Sequence, residues 1–287
     1  MIEHIITERQ RDLGGGFTVG RVLPYAPRRM VGPFIFFDHM GPVNFEAGIP
    51  KSLDVRPHPH IGLSTVTYLF SGEIMHRDSV GSELAIRPGE VNWMTAGRGI
   101  THSERLEKAR LTGDLIHGIQ AWVALPDGQE EVDPAFAHFG TGDLPMIEDK
   151  GLSMRLVAGR GFGAQSVKTH SPMFYAHAEL EAGTKVELPM DYAECAAYVV
   201  TGRIKTEGQE LAAAQMAVFS DGASPVIEAL EKSTVMLLGG DPVGQRFIDW
   251  NFVSSSKERI EQAKADYTSG RMKLPDLDHD EFMPLPK

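Results

Sequence analysis

The amino-acid sequence predicts an all-β fold of the sandwich or barrel kind, with one helix near its end. Three observations carry that expectation. Thirty glycines and 18 prolines punctuate the 287 residues. Between them lie short runs of alternating apolar and polar residues, the period of a half-buried strand. Helical spacing occurs once, close to the C-terminus.

The elements follow in order. Thr65 to Phe70 is β-branched and aromatic; Ser71-Gly72 turns it and Glu73 to Asp78 returns. Val80-Gly81-Ser82 turns again before Glu83 to Arg87, and Pro88-Gly89 ends that run. Val91 to Met94 and Ile100 to Arg105 read as the next strands, joined by the glycine-bearing loop Thr95 to Gly99. Leu115 to Leu125 alternates well and reads as a long strand. Pro126 to Pro134 is acidic and reads as a linker or long loop, and Phe136 to Gly151 has little pattern. A second series follows at Tyr175 to Leu180, Lys185 to Leu188, Ala196 to Val200 and Val235 to Leu238. Tyr68, Gly72 and Ile74 recur 130 residues later as Tyr198, Gly202 and Ile204, which suggests two similar halves. In the tail, Ser255 and Glu258 fit a capping box, Ile260, Ala263 and Tyr267 keep helical spacing, and Gly270 suits the stop. Asp276 to Lys287 reads as an extended surface arm.

Composition narrows the function. The formal charge is −11, and no basic run exceeds Arg28-Arg29, so direct nucleic-acid binding is disfavoured. Apolar runs fall far short of the ~20 residues of a membrane helix. The N-terminal stretch, broken by Glu3, Glu8 and Asp12, shows no signal-peptide core. Cys195 is the only cysteine, which excludes an internal disulfide framework and a cysteine-based metal cluster. A cytoplasmic location is the expectation.

Two short motifs carry chemistry: His58-Pro59-His60 and His102-Ser103-Glu104. Each places ligand-type side chains at i and i+2, on one face of a strand and roughly 6.5–7 Å apart. If the two strands lie side by side, three imidazoles and one carboxylate converge. That donor set suits Fe(II), Ni(II), Zn(II), Cu(II) or Mn(II), with positions left open for water, substrate or oxygen.

With these motifs in place the sequence resembles the pirin family of bicupins. The resemblance rests on Phe36-Phe37-Asp38-His39-Met40-Gly41-Pro42, on His58-Pro59-His60 with Thr65-Val66-Thr67-Tyr68-Leu69, on His76-Arg77-Asp78-Ser79, and on Trp93-Met94-Thr95-Ala96-Gly97-Arg98-Gly99-Ile100 leading to His102-Ser103-Glu104. In the second half it rests mainly on Leu237-Leu238-Gly239-Gly240-Asp241-Pro242. It implies two jelly-roll cupin barrels: residues 1–132 with one metal held by His58, His60, His102 and Glu104, and residues 133–287 with no metal site, plus helix and arm. Iron is the usual metal in the family, with Mn, Ni, Cu, Zn or Co as other occupants. Many cupins place a glutamate four residues after the second histidine; here Ser64 stands there, and strand parity would put it on the face of His60.

Other residues receive plainer readings. Val66, Tyr68 and Phe70 would share His60's parity, if Gly62 hosts no bulge, and form apolar wall. His117 and His39 read as structural. His76 and Asp78, also at i and i+2, read as a solvated strand face. Arg98 reads equally as an anion attractor or a loop brace.

Two classes of function stay open. Resemblance to quercetin 2,3-dioxygenases implies cleavage of a flavonol-like aromatic by O2, with Glu104 as the catalytic base. Resemblance to pirin coregulators implies a metal- and redox-responsive protein that binds a regulatory protein partner. A sugar isomerase ranks last, because no cluster of Lys and Arg could clamp a phosphate.

Overall fold

The structure is a computed structural model that describes residues 1–13, 17–223 and 225–286; Lys287, the end of the expected arm, lies outside them. It is mostly β, as expected. The chain divides into two compact units, each gathered from three stretches: Met1–Arg9, Gly20–Phe37 and Phe139–Pro242 in one, and Gln10–Val19, Asp38–His138 and Val243–Lys287 in the other. No helix is long and apolar enough to cross a membrane among the described residues.

The unit built mainly from the C-terminal half has two antiparallel sheets, the jelly-roll arrangement. Its large sheet contains Glu194–Thr201, Ser233–Gly240, Met173–Leu180 and Leu152–Gly161. The chain's first strand, Ile2–Thr7, pairs with Gln215–Phe219 at its edge. The smaller sheet runs Lys185–Glu187, Val226–Ala229, Arg203–Thr206, Gln209–Ala212. Phe174, Leu188, Cys195, Ala197, Phe219 and Leu237 fill an apolar core. The positions 130 residues after His58 and His60 are Leu188, buried in that core, and Met190, which is 72% exposed.

The other unit also has two main sheets. One contains Val91–Thr95, Leu63–Ser71, Asp114–Ala124 and, from Asp38 onward, the strand Phe34–Phe45. The other runs Val55–His60, Ile100–Arg105, Ile74–Asp78, Glu83–Ile86. The suspected repeat has a structural basis. Gly72 and Gly202 hold positive φ where each chain turns from a strand of the large sheet into one of the small sheet, and an added Cβ would meet a backbone carbonyl oxygen at 2.6 and 2.5 Å. Tyr68 with Ile74, and Tyr198 with Ile204, are buried on either side of these turns.

Sequence pattern alone does not find every element. Ala135–Phe139 and Met146–Asp149 form edge strands in the stretch that lacks pattern, and Glu107–Thr112 is a short helix. The terminal helix spans Lys257–Thr268, buries Ile260, Ala263 and Tyr267, and ends before Gly270 at φ +74°. Its N-cap is Ser256, whose Oγ accepts from the Arg259 amide at 3.2 Å. The expected cap, Ser255, is drawn away instead: its amide and hydroxyl both donate to Glu130.

The arm is not a loose surface segment. Strand Ile100–Arg105 turns Thr101, Ser103 and Arg105 to one side; the segment leading into the arm binds the first, and the arm binds the other two. Thr101 Oγ1 donates to the Lys273 carbonyl at 2.5 Å and Ser103 Oγ to Asp278 at 2.6 Å. Arg105, 6% exposed, grips Asp278 through Nε and Nη2, both at 2.7 Å, and Glu281 at 3.0 Å. Asp278→Ala is expected to cost about 2–3 kcal/mol in chemical denaturation, because it strips a buried guanidinium of its bidentate partner. It should also speed proteolysis within residues 274–286; unchanged stability and cleavage would show that the arm is held elsewhere.

Candidate metal centre

The two motifs meet as their spacing predicts. Strands Val55–His60 and Ile100–Arg105 are antiparallel neighbours, with His102 opposite His58 and Ile100 opposite His60. Directly opposed residues share a face of a sheet, so both motifs look the same way. The register shifts between His102 and Glu104, and Glu104 falls opposite Val55. The extra residue lies at Arg56-Pro57, where the proline has no amide to give to the ladder.

The donor atoms of His58, His60 and His102 all lie within 4.8 Å of one another, and all three side chains are buried. Ring centroids are 4.4 Å apart for His58 and His102, 5.0 Å for His58 and His60, and 5.1 Å for His60 and His102. His58 Nδ1 lies 2.9 Å from the Arg56 carbonyl and His60 Nδ1 lies 3.1 Å from the Asn251 carbonyl. A carbonyl can only accept, so each Nδ1 carries the proton and each Nε2 keeps a lone pair. His102 Nε2 is buried without a hydrogen-bond partner. Burial drives His58 down to about 4 and holds His60 and His102 well below the ordinary histidine range, helped by their mutual repulsion. Three buried, neutral imidazoles with donor atoms this close fit a divalent cation.

Glu104 shares this face but stands outside the group of mutually close donors. Burial raises its carboxyl to about 7. Thr67 Oγ1 lies 3.5 Å from Glu104 Oε1 and 2.8 Å from Gln120 Oε1. Trp122 sets its ring edge-on to His60, with centroids 4.9 Å apart.

Those contacts correct the parity carried over from His60. At Gly62 φ is +67°, and the chain leaves the small sheet for the large one, so alternation does not run through it. Thr67 therefore faces Glu104, while Val66, Tyr68 and Phe70 take the opposite face of their strand. Ser64 is also on that opposite face, and its hydroxyl pairs with Thr95 at 3.1 Å.

His76 and Asp78 are corrected too. They are 4% and 1% exposed, not solvated. Glu104 and His102 lie opposite His76 and Asp78, which places both on the metal-facing side. Their i, i+2 spacing is the same signal as in the two motifs; the missing second motif is the His102 pair itself. His117 packs on Phe70 and its Nε2 lies 2.9 Å from that of His39, as a structural histidine does. Arg98 braces its loop by an ion pair with Asp133 and by its backbone N–H, which donates to the Val132 carbonyl.

Two jelly-roll units, one of them carrying a single histidine cluster, define a metal-binding bicupin. Residues 16–123 match the family model for pirin, and residues 175–273 match that for the pirin C-terminal cupin domain. The chain belongs to the pirin family. It is 63% identical to a pirin-like protein of Caulobacter vibrioides over the full length of both. Among solved structures it resembles quercetin 2,3-dioxygenase from Acinetobacter baumannii, with 34% identity and a TM-score of 0.90, covering 99% of this chain and 95% of that one. It shares the fold of a bacterial pirin from Escherichia coli in complex with nickel(II), at 21% identity and a TM-score of 0.66, covering 85% of this chain and 100% of the other.

The carboxyl gives a pH prediction for the cation-free protein. Glu104 ionises near 4.5 in the unfolded chain and near 7 when folded. A carboxyl raised by folding costs stability as pH climbs between those values. In chelator, Glu104→Gln should gain on the native protein by up to about 3 kcal/mol from pH 4.5 to 7, then level off. His58 has the opposite sign, its stability being present above 6.5 and lost toward 4, but it is common to both proteins and cancels. A difference that stays flat in paired denaturation curves would contradict the burial of Glu104.

Proposed function

We propose that this chain is a metal-dependent dioxygenase that opens a flavonol-type ring with O2. His58, His60, His102 and Glu104 hold one divalent ion, iron first among Fe, Mn, Ni, Cu, Zn and Co. The observation that carries the reading is the buried cluster of three neutral imidazoles with the Glu104 carboxyl on the same wall. The similarity to an Acinetobacter baumannii quercetin 2,3-dioxygenase supplies the substrate class.

The bound cation would act as a Lewis acid, making a hydroxyl beside a carbonyl more acidic and leaving positions open for substrate and O2. The protein's own residues do the rest. Glu104, on the wall it shares with the three imidazoles, takes the substrate hydroxyl proton on a carboxylate oxygen. Thr67, whose hydroxyl is held by Gln120, faces that carboxyl. Trp122 against His60 and Phe136 against His76 exclude water from the electron-rich product of proton loss. The acidic charge and the lone, buried Cys195 accord with a cytoplasmic enzyme.

Glu104→Gln, loaded anaerobically to the same iron content as the native protein, should lose about 10²–10⁴ in flavonol kcat. Equal turnover at equal iron would remove Glu104 from the reaction. Native turnover no faster than iron in buffer would remove the activity itself.

A further inference from the structure

We infer that His76 and Asp78 are positioning residues for the metal centre: Asp78 fixes the tautomer of His76, and His76 fixes that of His102. The reasoning starts from what each imidazole's second nitrogen touches. Those of His58 and His60 face backbone carbonyls, which can only accept, so their tautomers are settled locally. His102 has no such carbonyl. Its Nδ1 lies 3.4 Å from His76 Nδ1. An imidazole nitrogen can donate or accept, so this contact alone leaves His102 undecided.

Asp78 decides it. Its Oδ1 accepts the amides of Val80 at 3.0 Å and Ser82 at 2.9 Å, which pins the carboxylate. Its Oδ2 lies 2.9 Å from His76 Nε2. A carboxylate accepts, so His76 carries its proton on Nε2 and turns a lone pair on Nδ1 toward His102. His102 must then donate from Nδ1, and its buried, unpartnered Nε2 keeps the lone pair that it can offer within the cluster of His58 and His60. Phe136 stacks on His76 at 4.4 Å with the rings 17° from parallel, holding the plane of the relay. A ligand oriented by an outer partner binds its metal more tightly than one left to choose.

This rests on the three histidines binding a cation, and the test is metal binding rather than turnover. In Asp78→Asn the oxygen stays with the two amides, so the NH2 occupies the place of Oδ2 and donates to His76. The relay inverts, and His76 presents N–H to N–H of His102. Zn(II) affinity, measured against a chromophoric chelator, should fall about 10–100-fold in Asp78→Asn and in His76→Phe. His76→Gln can accept from His102 and donate to Asp78, so it should stay within about threefold of native. In the Co(II) protein, proton NMR should show an exchangeable, strongly shifted N–H signal for each of the three ligand histidines. The His102 signal should vanish in Asp78→Asn and return in His76→Gln. Native Zn(II) affinity in Asp78→Asn and His76→Phe, with all three signals kept, would overturn the relay alone. A native protein that takes up no Zn(II) would overturn both the relay and the metal site beneath it.

Discussion

Three neutral imidazoles whose ligand atoms crowd within 4.8 Å of one another, one of them with a buried nitrogen that no protein atom answers, form the arrangement on which the rest of the structure depends. With Nδ1 of His58 and of His60 committed to carbonyls, neither ring can offer the buried Nε2 of His102 a donor. Protonation is no exit, because burial holds the rings neutral at ordinary pH. A cation answers all three at once. Much of the surrounding structure serves to keep the rings in that posture. Backbone carbonyls at Arg56 and Asn251 fix two of them, the His76 relay faces the third, and the arm is tied to the reverse of the strand that bears His102.

The histidine cluster was legible because strands have a period of two. Residues at i and i+2 share a face whatever the rest of the fold does, so His58 with His60, and His102 with Glu104, could be placed before any coordinate. The tail helix was legible for the matching reason, a 3.6 period at Ile260, Ala263 and Tyr267. Period-two reasoning fails where a strand ends. Gly62 carries the chain from one sheet to the other, and parity extended across it assigned Val66 and Tyr68 the face that belongs to Thr67. Ser255 and Ser256 are equivalent by type as helix caps; what separates them is Glu130, 125 residues away in sequence.

His76 and Asp78 show a different limit. Their spacing matched the motif, but charge and polarity at i and i+2 are also what an exposed strand displays. Only the pairing of Ile74–Asp78 with Ile100–Arg105 brings them under cover. Long-range contacts of this sort decide whether a polar pair is solvent or site, and no local window contains them.

Glu104 adds a carboxyl to the face of the histidine cluster. It is a buried carboxyl facing the Thr67 hydroxyl, on a wall shared with three imidazoles. The other unit keeps the same two-sheet scaffold, and its corresponding segment offers Leu188 to an apolar core. One jelly roll is thereby fitted for chemistry and the other for packing.

The most direct measurement is diffraction at the zinc absorption edge from crystals of Zn(II)-loaded protein. One anomalous peak is expected, about 2.0–2.1 Å from Nε2 of His58, His60 and His102. A cation bound through any Nδ1, or no peak among the three rings, would contradict the arrangement on which the rest depends.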